Sequence, residues 1–573
     1  MKRYYDVVIV GSGFGGSISA CRLARAVKPD GTPVSVCVLE RGKRYNRGEF
    51  PRDLAHTKDW WWQNNGRGGW KGLLEFRAFN NASILCASGV GGTSLVYLDV
   101  QIEAFPSTFE ASDAAGRRWP TLEAGRKWKE ELQPYYRMVD QALRPTPIPD
   151  PTSKTRALKA AAEAIGEGHR FRLLDLAIYW GDRGVLAADP YGDGGPPQAG
   201  CRYCGECYIG CNTHSKNTMD LTYLWHAERG GAEVYSQHNV TAIAANGPDD
   251  PVHPRGYTVH YEDLRWGGFS GRVSGQVLIL AAGTTGTAEL MLRAQRGYRA
   301  GRKRVDPALP DLSPMLGRHF SGNGDFGAAA FETSRETNPM AGPVITGVLD
   351  YGDRLTGGFL IEDGGFPDVL RAYLRRFPGG IAFGRRLLGA FRDLLGRDAN
   401  RKLVEGIFAQ LDFQTIRDCL PYLVMGQDAA NGQMGLDEEG NLTIDWPHRE
   451  SLPFFREVED TVRRIAQAPE PGLDGNVVFA PTWSLGKNLV TVHPLGGCPM
   501  GDDPGRGVVN SYGQVFHYEN LYILDGSMVP SAIGPNPSKT IGALAERGAA
   551  HIIREKFQGT SSQATVAGRR ERN

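Results

Sequence analysis

The chain has 573 residues, 74 of them glycine, with 41% apolar residues and a formal net charge of +1. That length exceeds one domain of about 100–200 residues, and the near-zero charge argues against coating a nucleic acid or another polyanion. Ordinary apolar content excludes whole-chain disorder, and no apolar run approaches the roughly 20 residues that span a bilayer.

The run Val7, Val8, Ile9, Val10 is β-branched throughout, as expected of a strand buried on both faces of a parallel sheet. It enters Gly11-Ser12-Gly13-Phe14-Gly15-Gly16 directly, with no small-residue cleavage site. No signal peptide is read, and the protein is expected in the cytoplasm. Gly11, Gly13 and Gly16 fit G-x-G-x-x-G between a strand and a helix. Gly11 permits the tight turn, Gly13 lets a pyrophosphate approach the backbone, and Gly16 lets helix and strand pack closely. The anion then rests on free N–H groups at the helix start. A second strand over 34–39 ends in Glu40, placed to accept hydrogen bonds from an adenosine ribose. FAD and NAD both satisfy this fingerprint.

Trp60-Trp61-Trp62 suits an apolar pocket or an ordinary core. Residues 87–94 form a second glycine-rich stretch containing Gly89, Gly91, Gly92, Thr93 and Ser94. It is either a backbone surface for a flat ligand or a simple turn. Cys201, Cys204, Cys207 and Cys211 have the C-x2-C-x2-C-x3-C spacing of a bacterial ferredoxin run. The proline that usually follows is replaced by Asn212, and no second run exists. The reading taken is thiols or a local disulfide, with no metal; an iron–sulfur cluster or zinc on these four is the alternative.

A buried strand over 277–280 leads into a small-residue turn at 281–286 containing Gly283. Proline-rich loops and alternating residues around 346–360 predict a second, mostly antiparallel domain. The nucleotide fold is therefore assembled from separated segments. Over 371–397, leucines and phenylalanines interleave with arginines. A basic amphipathic helix pair of this kind lies at a membrane surface or covers the core as a solvated hairpin.

His493 stands directly before Pro494, and Asn536 between Pro535 and Pro537. Flanking prolines fix the backbone and so aim the side chain. A histidine can accept a proton near neutral pH, and an asparagine amide can donate to an oxygen. Between them a strand over 520–524 ends on Asp525-Gly526, the kind of strand end at which open α/β sheets hold ligands. Residues 559–573 read as a flexible tail.

Taken together, these motifs resemble the glucose-methanol-choline (GMC) oxidoreductases, and within them the cholesterol oxidase branch. The resemblance runs from residue 5 to about 554. It is carried by Gly11–Gly16, by Gly89-Val90-Gly91-Gly92-Thr93-Ser94-Leu95-Val96, by His493-Pro494-Leu495-Gly496-Gly497-Cys498, by Asp525-Gly526-Ser527 and by Asn536-Pro537-Ser538-Lys539-Thr540-Ile541. It implies FAD rather than NAD, and an α/β plus α+β architecture. In that architecture a Rossmann-like FAD-binding domain (1–48, 217–320, 505–558) joins a discontinuous substrate domain (49–216, 321–504) on a mostly antiparallel six-stranded sheet. Glu40 would take the adenosine ribose and Val240 would meet the adenine through its backbone. Residues 89–94 would lie along the flavin, and Asp525 would hold the ribityl–pyrophosphate region. Gly283, Gly526, Asn536, Pro537 and Ser538 are also assigned to the cofactor.

The resemblance further implies that His493 and Asn536 are the catalytic pair. His493 would take the hydroxyl proton of a secondary alcohol while hydride leaves to flavin N5, and Asn536 would hold the developing alkoxide. Residues 358–362 resemble the segment that bears a proton-shuttling glutamate, which makes Glu362 a third candidate. The expected function is oxidation of a bulky hydrophobic, sterol-like alcohol to a ketone, with O2 or a protein or quinone as electron acceptor. One alternative is a steroid double-bond isomerase that uses Glu362 without net redox chemistry; another is a flavin-binding protein without activity. The cysteine run departs from secreted cholesterol oxidases and resembles mycobacterial-type and long-chain alcohol oxidase relatives, which leaves substrate and acceptor open.

Overall fold

The β-branched run at 7–10 lies inside the strand Tyr4–Val10, which runs parallel to Val36–Leu39 on one side and to the end of Phe269–Leu280 on the other. Val7, Val8 and Ile9 have no exposed surface, and burying each side chain contributes about 1.5–3 kcal/mol. The computed structural model describes residues 1–557 except 54–56, 64–69, 114–115, 251, 267, 301–302, 355–356, 368–417, 481–482 and 484–487. The basic segment 371–397 and the tail 559–573 lie outside the described residues.

Seven strands share the first sheet. Its main order is Glu233–Tyr235, Val36–Leu39, Tyr4–Val10, Phe269–Leu280, Tyr257–Asp263, His238–Ala245, and Leu521–Ile523 also pairs with Phe269–Leu280. The long strand Phe269–Leu280 does two jobs. Its first half pairs antiparallel with Tyr257–Asp263, and its end pairs parallel with both Tyr4–Val10 and Leu521–Ile523. The parallel part therefore draws on chain segments near the beginning, middle and end of the sequence. Helices Phe14–Leu23, Ser538–Ile552 and Trp128–Leu143 pack together, the first two in contact and the third against the second.

A second sheet has six strands in the order Asn476–Phe479, Phe326–Phe331, Leu420–Gly426, Phe359–Asp363, Gly347–Tyr351, Phe171–Leu173, antiparallel throughout. Helices Ser153–Ala164 and Leu452–Ala466 lie against it. The second helix buries Phe454, Phe455, Val458, Val462 and Ile465 while its arginines stay at the surface, an apolar stripe of helical period. Phe359–Asp363 is buried along its whole length. Since side chains alternate across a strand, Glu362 and Asp363 face opposite sides of the sheet.

A small third sheet joins Leu74–Ala78, Ala82–Ala87 and Leu489–Thr491. Ala82–Ala87 and Leu489–Thr491 run parallel, so the chain leaves both at the same end. That brings the glycine-rich stretch after residue 87 and the segment bearing His493 side by side. Among the described residues, no helix is long and apolar enough to cross a membrane.

Candidate active site

The glycines of the fingerprint meet different constraints. Gly11 has φ +95°, and a Cβ there would lie 2.2 Å from the carbonyl oxygen of Ala281. On Gly16 a Cβ would fall 2.0 Å from the oxygen of Gly11. The tightest position is Gly15, which the motif leaves free: a Cβ there would sit 1.5 Å from the oxygen of Leu524. Gly13 is different. Its Cβ would meet no protein atom nearer than 3.9 Å, and the space beside it is a cavity.

This cavity has a volume of about 1020 Å³, and Gly11, Gly13, Glu40, Gly92, Thr93, Val240, Gly283, His493, Asp525, Gly526, Asn536, Pro537 and Ser538 all line it. Three helices begin at its wall: Phe14–Leu23, Gly283–Arg296 and Ser538–Ile552. None has a side-chain cap or an acidic residue in its first turn. A helix start leaves N–H groups without intrahelical partners and carries partial positive charge. Three such starts on one cavity suit a ligand with phosphate and carbonyl oxygens.

At one end Glu40 is 6% exposed. Its Oε2 accepts from Ser12 N (3.1 Å) and Ser12 Oγ (2.7 Å), and its Oε1 from Gly42 N (2.8 Å). A carboxylate accepts about four hydrogen bonds, so one position is left toward the cavity. Arg41 pairs with Glu75 and lies over the ring of Trp62, 4.9 Å from its centroid. Trp62 thus lines the cavity beside Glu40 and Arg41, while Trp60 packs in a core cluster with Tyr45, Phe50 and Leu73.

The glycine-rich loop passes over the fingerprint. Gly92, at φ +58°, would place a Cβ 2.6 Å from Cα of Gly13. Gly92 and Thr93 line the cavity, whereas Gly16, Gly89, Gly91 and Ser94 do not. These last four shape the walls from behind. Ser94 Oγ donates to Gly91 O at 2.7 Å and accepts from Met219 N at 2.9 Å. Asp525 lines the cavity, but its carboxylate is occupied within the protein by Gly283 N, Thr287 Oγ1, Ser527 N and Ser527 Oγ. It ties the start of Gly283–Arg296 to the end of the strand Leu521–Ile523. Burial pushes its pKa up, and these four donors pull the other way.

His493, Pro494, Asn536, Pro537 and Ser538 all line the cavity. His493 Nδ1 is 2.7 Å from Oδ1 of Asp325, whose other oxygen accepts from Val492 N (2.8 Å), His493 N (3.2 Å) and Thr491 Oγ1 (2.9 Å). Asn536 is 6% exposed, and its Oδ1 has no partner. Glu362 lies behind this pair rather than in the cavity lining, with no exposed surface. Neither of its oxygens completes a hydrogen bond of good geometry. Burial pushes its pKa up to about 8, and the nearby Asn536 amide pulls the other way. Asp325 and Asn323 carry no local sequence signal; their side-chain partners lie 166–168 and 210–212 residues away.

The four cysteines of the ferredoxin-like run are free thiols. Cys201 is buried, Cys204 is exposed, and Cys207 and Cys211 lie between. Among the described residues, no three His, Cys, Asp or Glu side chains converge as a metal site.

Models of the GMC oxidoreductases match this chain in two places, an N-terminal one over residues 197–320 and a C-terminal one over 446–545. The chain carries both the N- and the C-terminal domain of the GMC oxidoreductases. A cholesterol oxidase of Acinetobacter baumannii is 28% identical over 96% of this chain and 94% of its own. A cholesterol oxidase of Mycobacterium tuberculosis is 28% identical over 96% of this chain and 91% of its own. Among solved structures, pyridoxine 4-oxidase from Mesorbium loti shares the fold at TM-score 0.57 and 18% identity, covering 96% of this chain and 99% of that one. A fungal aryl-alcohol oxidase does so at TM-score 0.50 and 16% identity, covering 97% and 100%. With these domains and relatives it is an FAD-dependent enzyme that oxidises alcohols, and it takes a small-molecule substrate and an electron acceptor. The room left at Gly13, the spare acceptor position of Glu40 and the three uncapped helix starts fit that cofactor.

Proposed function

We propose that this enzyme converts a secondary alcohol on a bulky, hydrophobic, sterol-like molecule to the ketone. The carrying observation is that His493 and Asn536, distant in sequence, both line the one cavity, Asn536 just before the start of Ser538–Ile552. The cholesterol oxidase relatives, similar over nearly their whole length, support the substrate class. FAD, when bound, supplies a hydride acceptor at N5. His493 takes the hydroxyl proton of the substrate, a step typically worth about 10²- to 10⁴-fold in rate. The Asn536 amide donates to the oxygen as negative charge builds on it; one such donor is worth about 2.7–4 kcal/mol. Glu40 accepts from the adenosine ribose, and the backbone of residues 11–16 receives the pyrophosphate. The electron acceptor is O2, a protein or a quinone.

Glu362 carries a second reading. A buried carboxyl poised near pH 8 beside the Asn536 amide is suited to moving a proton between ring carbons. On a sterol-like ketone it would shift a double bond, either after oxidation or without net redox chemistry. Anaerobic mixing of the FAD-loaded enzyme with hydroxysteroids and small alcohols tests both. Bleaching of the flavin by the hydroxysteroids supports oxidation. A persistently oxidised flavin with an isomerised product supports the second reading alone. An oxidised flavin and no product defeats both.

A further inference from the structure

Residues 321–325 read Ser-Gly-Asn-Gly-Asp. Asp325, 2% exposed, holds His493. Asn323, with no exposed surface, holds the chain just before Asn536. Its Oδ1 accepts from Ile533 N (2.9 Å) and Gly534 N (3.2 Å), and its Nδ2 donates to Gly534 O (3.1 Å) and Pro535 O (2.9 Å). All four hydrogen-bonding positions of the amide are thus spent on the three residues before Asn536.

We propose that residues 321–325 are one positioning turn that sets both members of the His493–Asn536 pair. Asp325 keeps the imidazole proton on Nδ1, and Asn323 fixes the backbone that carries Asn536. The proposal rests on the reading of His493 as base and Asn536 as oxygen donor.

The residue types match these tasks. A carboxylate only accepts hydrogen bonds, so His493 Nδ1 must be the donor across the 2.7 Å contact. Nε2 is then bare and free to take a substrate proton. The imidazolium so formed keeps a charge-assisted bond to Asp325. Asn323, by contrast, must donate twice to carbonyls, which an aspartate there could not do. The turn is itself anchored. Asp428, from the loop after Leu420–Gly426, accepts from Ser321 Oγ (2.8 and 2.9 Å), Gly324 N (2.8 Å) and Ala430 N (2.7 Å). Asn323 has φ +53°, a left-handed conformation that asparagine adopts more readily than most residues.

Asp325→Asn gives a sharp consequence. The remaining oxygen stays where Val492 N and His493 N point, so the new NH2 group is turned toward Nδ1. The ring must then accept at Nδ1 and carry its proton on Nε2, the wrong tautomer for a base. ¹⁵N-histidine NMR of the FAD-loaded protein reads this directly, with the His493 signals identified by their loss in His493→Gln. Expected are a protonated Nδ1 in the wild type and a protonated Nε2 in Asp325→Asn. The rate of flavin reduction by an alcohol should fall about 10²- to 10⁴-fold, with KM within about threefold. Asn323→Ser should slow reduction while leaving the wild-type tautomer. A wild type with its proton on Nε2, an unchanged tautomer in Asp325→Asn, or a full rate in Asn323→Ser would overturn the proposal. The wild-type reading needs only His493→Gln to fold, and that substitution leaves residues 321–325 untouched. If no alcohol reduces the flavin at all, the functional reading fails, and the tautomer comparison still decides the role of Asp325.

Discussion

Glu362 and Asp363 are neighbours on one strand and face opposite surroundings. Asp363 accepts from Lys154 Nζ (3.0 Å), Thr155 Oγ1 (3.0 Å), Thr346 Oγ1 (2.8 Å), Thr346 N (2.7 Å) and Gly347 N (2.8 Å). Glu362 has no completed hydrogen bond and sits beside Asn536. Environment thus separates two adjacent carboxyls, one held by five donors and one buried with its pKa pushed up.

Glu362→Gln keeps the shape and removes the titration. Flavin bleaching by a hydroxysteroid should stay within about threefold of wild type if, as proposed, His493 is the proton acceptor for oxidation. Appearance of a conjugated enone, followed by its ultraviolet absorbance, should fall by about 10² or more. Loss of both together would place Glu362 in the oxidation step.

The same substitution changes how stability varies with pH. In the folded enzyme burial keeps Glu362 protonated up to about 8, against an ordinary value of 4.5. The unfolded chain releases that proton first, so raising the pH between these values favours unfolding. Glu362→Gln should therefore gain melting temperature relative to wild type as the pH rises through this window, and should show no gain below it. Thermal denaturation of the FAD-loaded pair across that range is the check.

Lys154 has no exposed side-chain surface, and neither does Asp363. Lys154→Met would leave the carboxylate buried without its cation, although four other donors remain. Breaking a buried pair from one side costs roughly 3–5 kcal/mol, and those donors place this case at the lower end. Urea denaturation should show a lower midpoint with an unchanged slope.

The fingerprint glycines should separate by variant. Gly15→Ala forces a Cβ onto the Leu524 carbonyl and should abolish soluble folded protein. Gly13→Ala has room within the protein and should fold, while holding FAD about tenfold or more weakly, one tenfold step being about 1.4 kcal/mol. Flavin released on dilution, measured by fluorescence, distinguishes the two.

Much of this arrangement is legible in the sequence because it is local. The β-branched run, the turn glycines and Glu40 lie within forty residues and obey known spacings. His493 and Asn536 are visible because prolines frame them. What sequence spacing hides are the residues whose partners come from far along the chain. Asp325, Asn323 and Lys154 each look like an isolated polar residue until the sheets bring their partners in. Gly15 stays hidden because its constraint is the end of a strand more than 500 residues later. The cysteine spacing says nothing of surroundings: only the fold places Cys201 in a core cluster with Val344, Ile345 and Leu360 and turns Cys204 toward solvent. Trp62 shows the same limit, since only the fold places it beside Arg41 rather than in a core.

The most direct test of the central claim is a single-turnover measurement without oxygen. A hydroxysteroid, unlabelled or deuterated at its carbinol carbon, is mixed with the FAD-loaded wild type and with His493→Gln, and the flavin absorbance is followed. The account predicts rapid bleaching in the wild type, slowed by deuterium, and bleaching at least about 10²-fold slower in His493→Gln despite equal flavin content. Equal rates in the two proteins, or a flavin that stays oxidised in both, would contradict it.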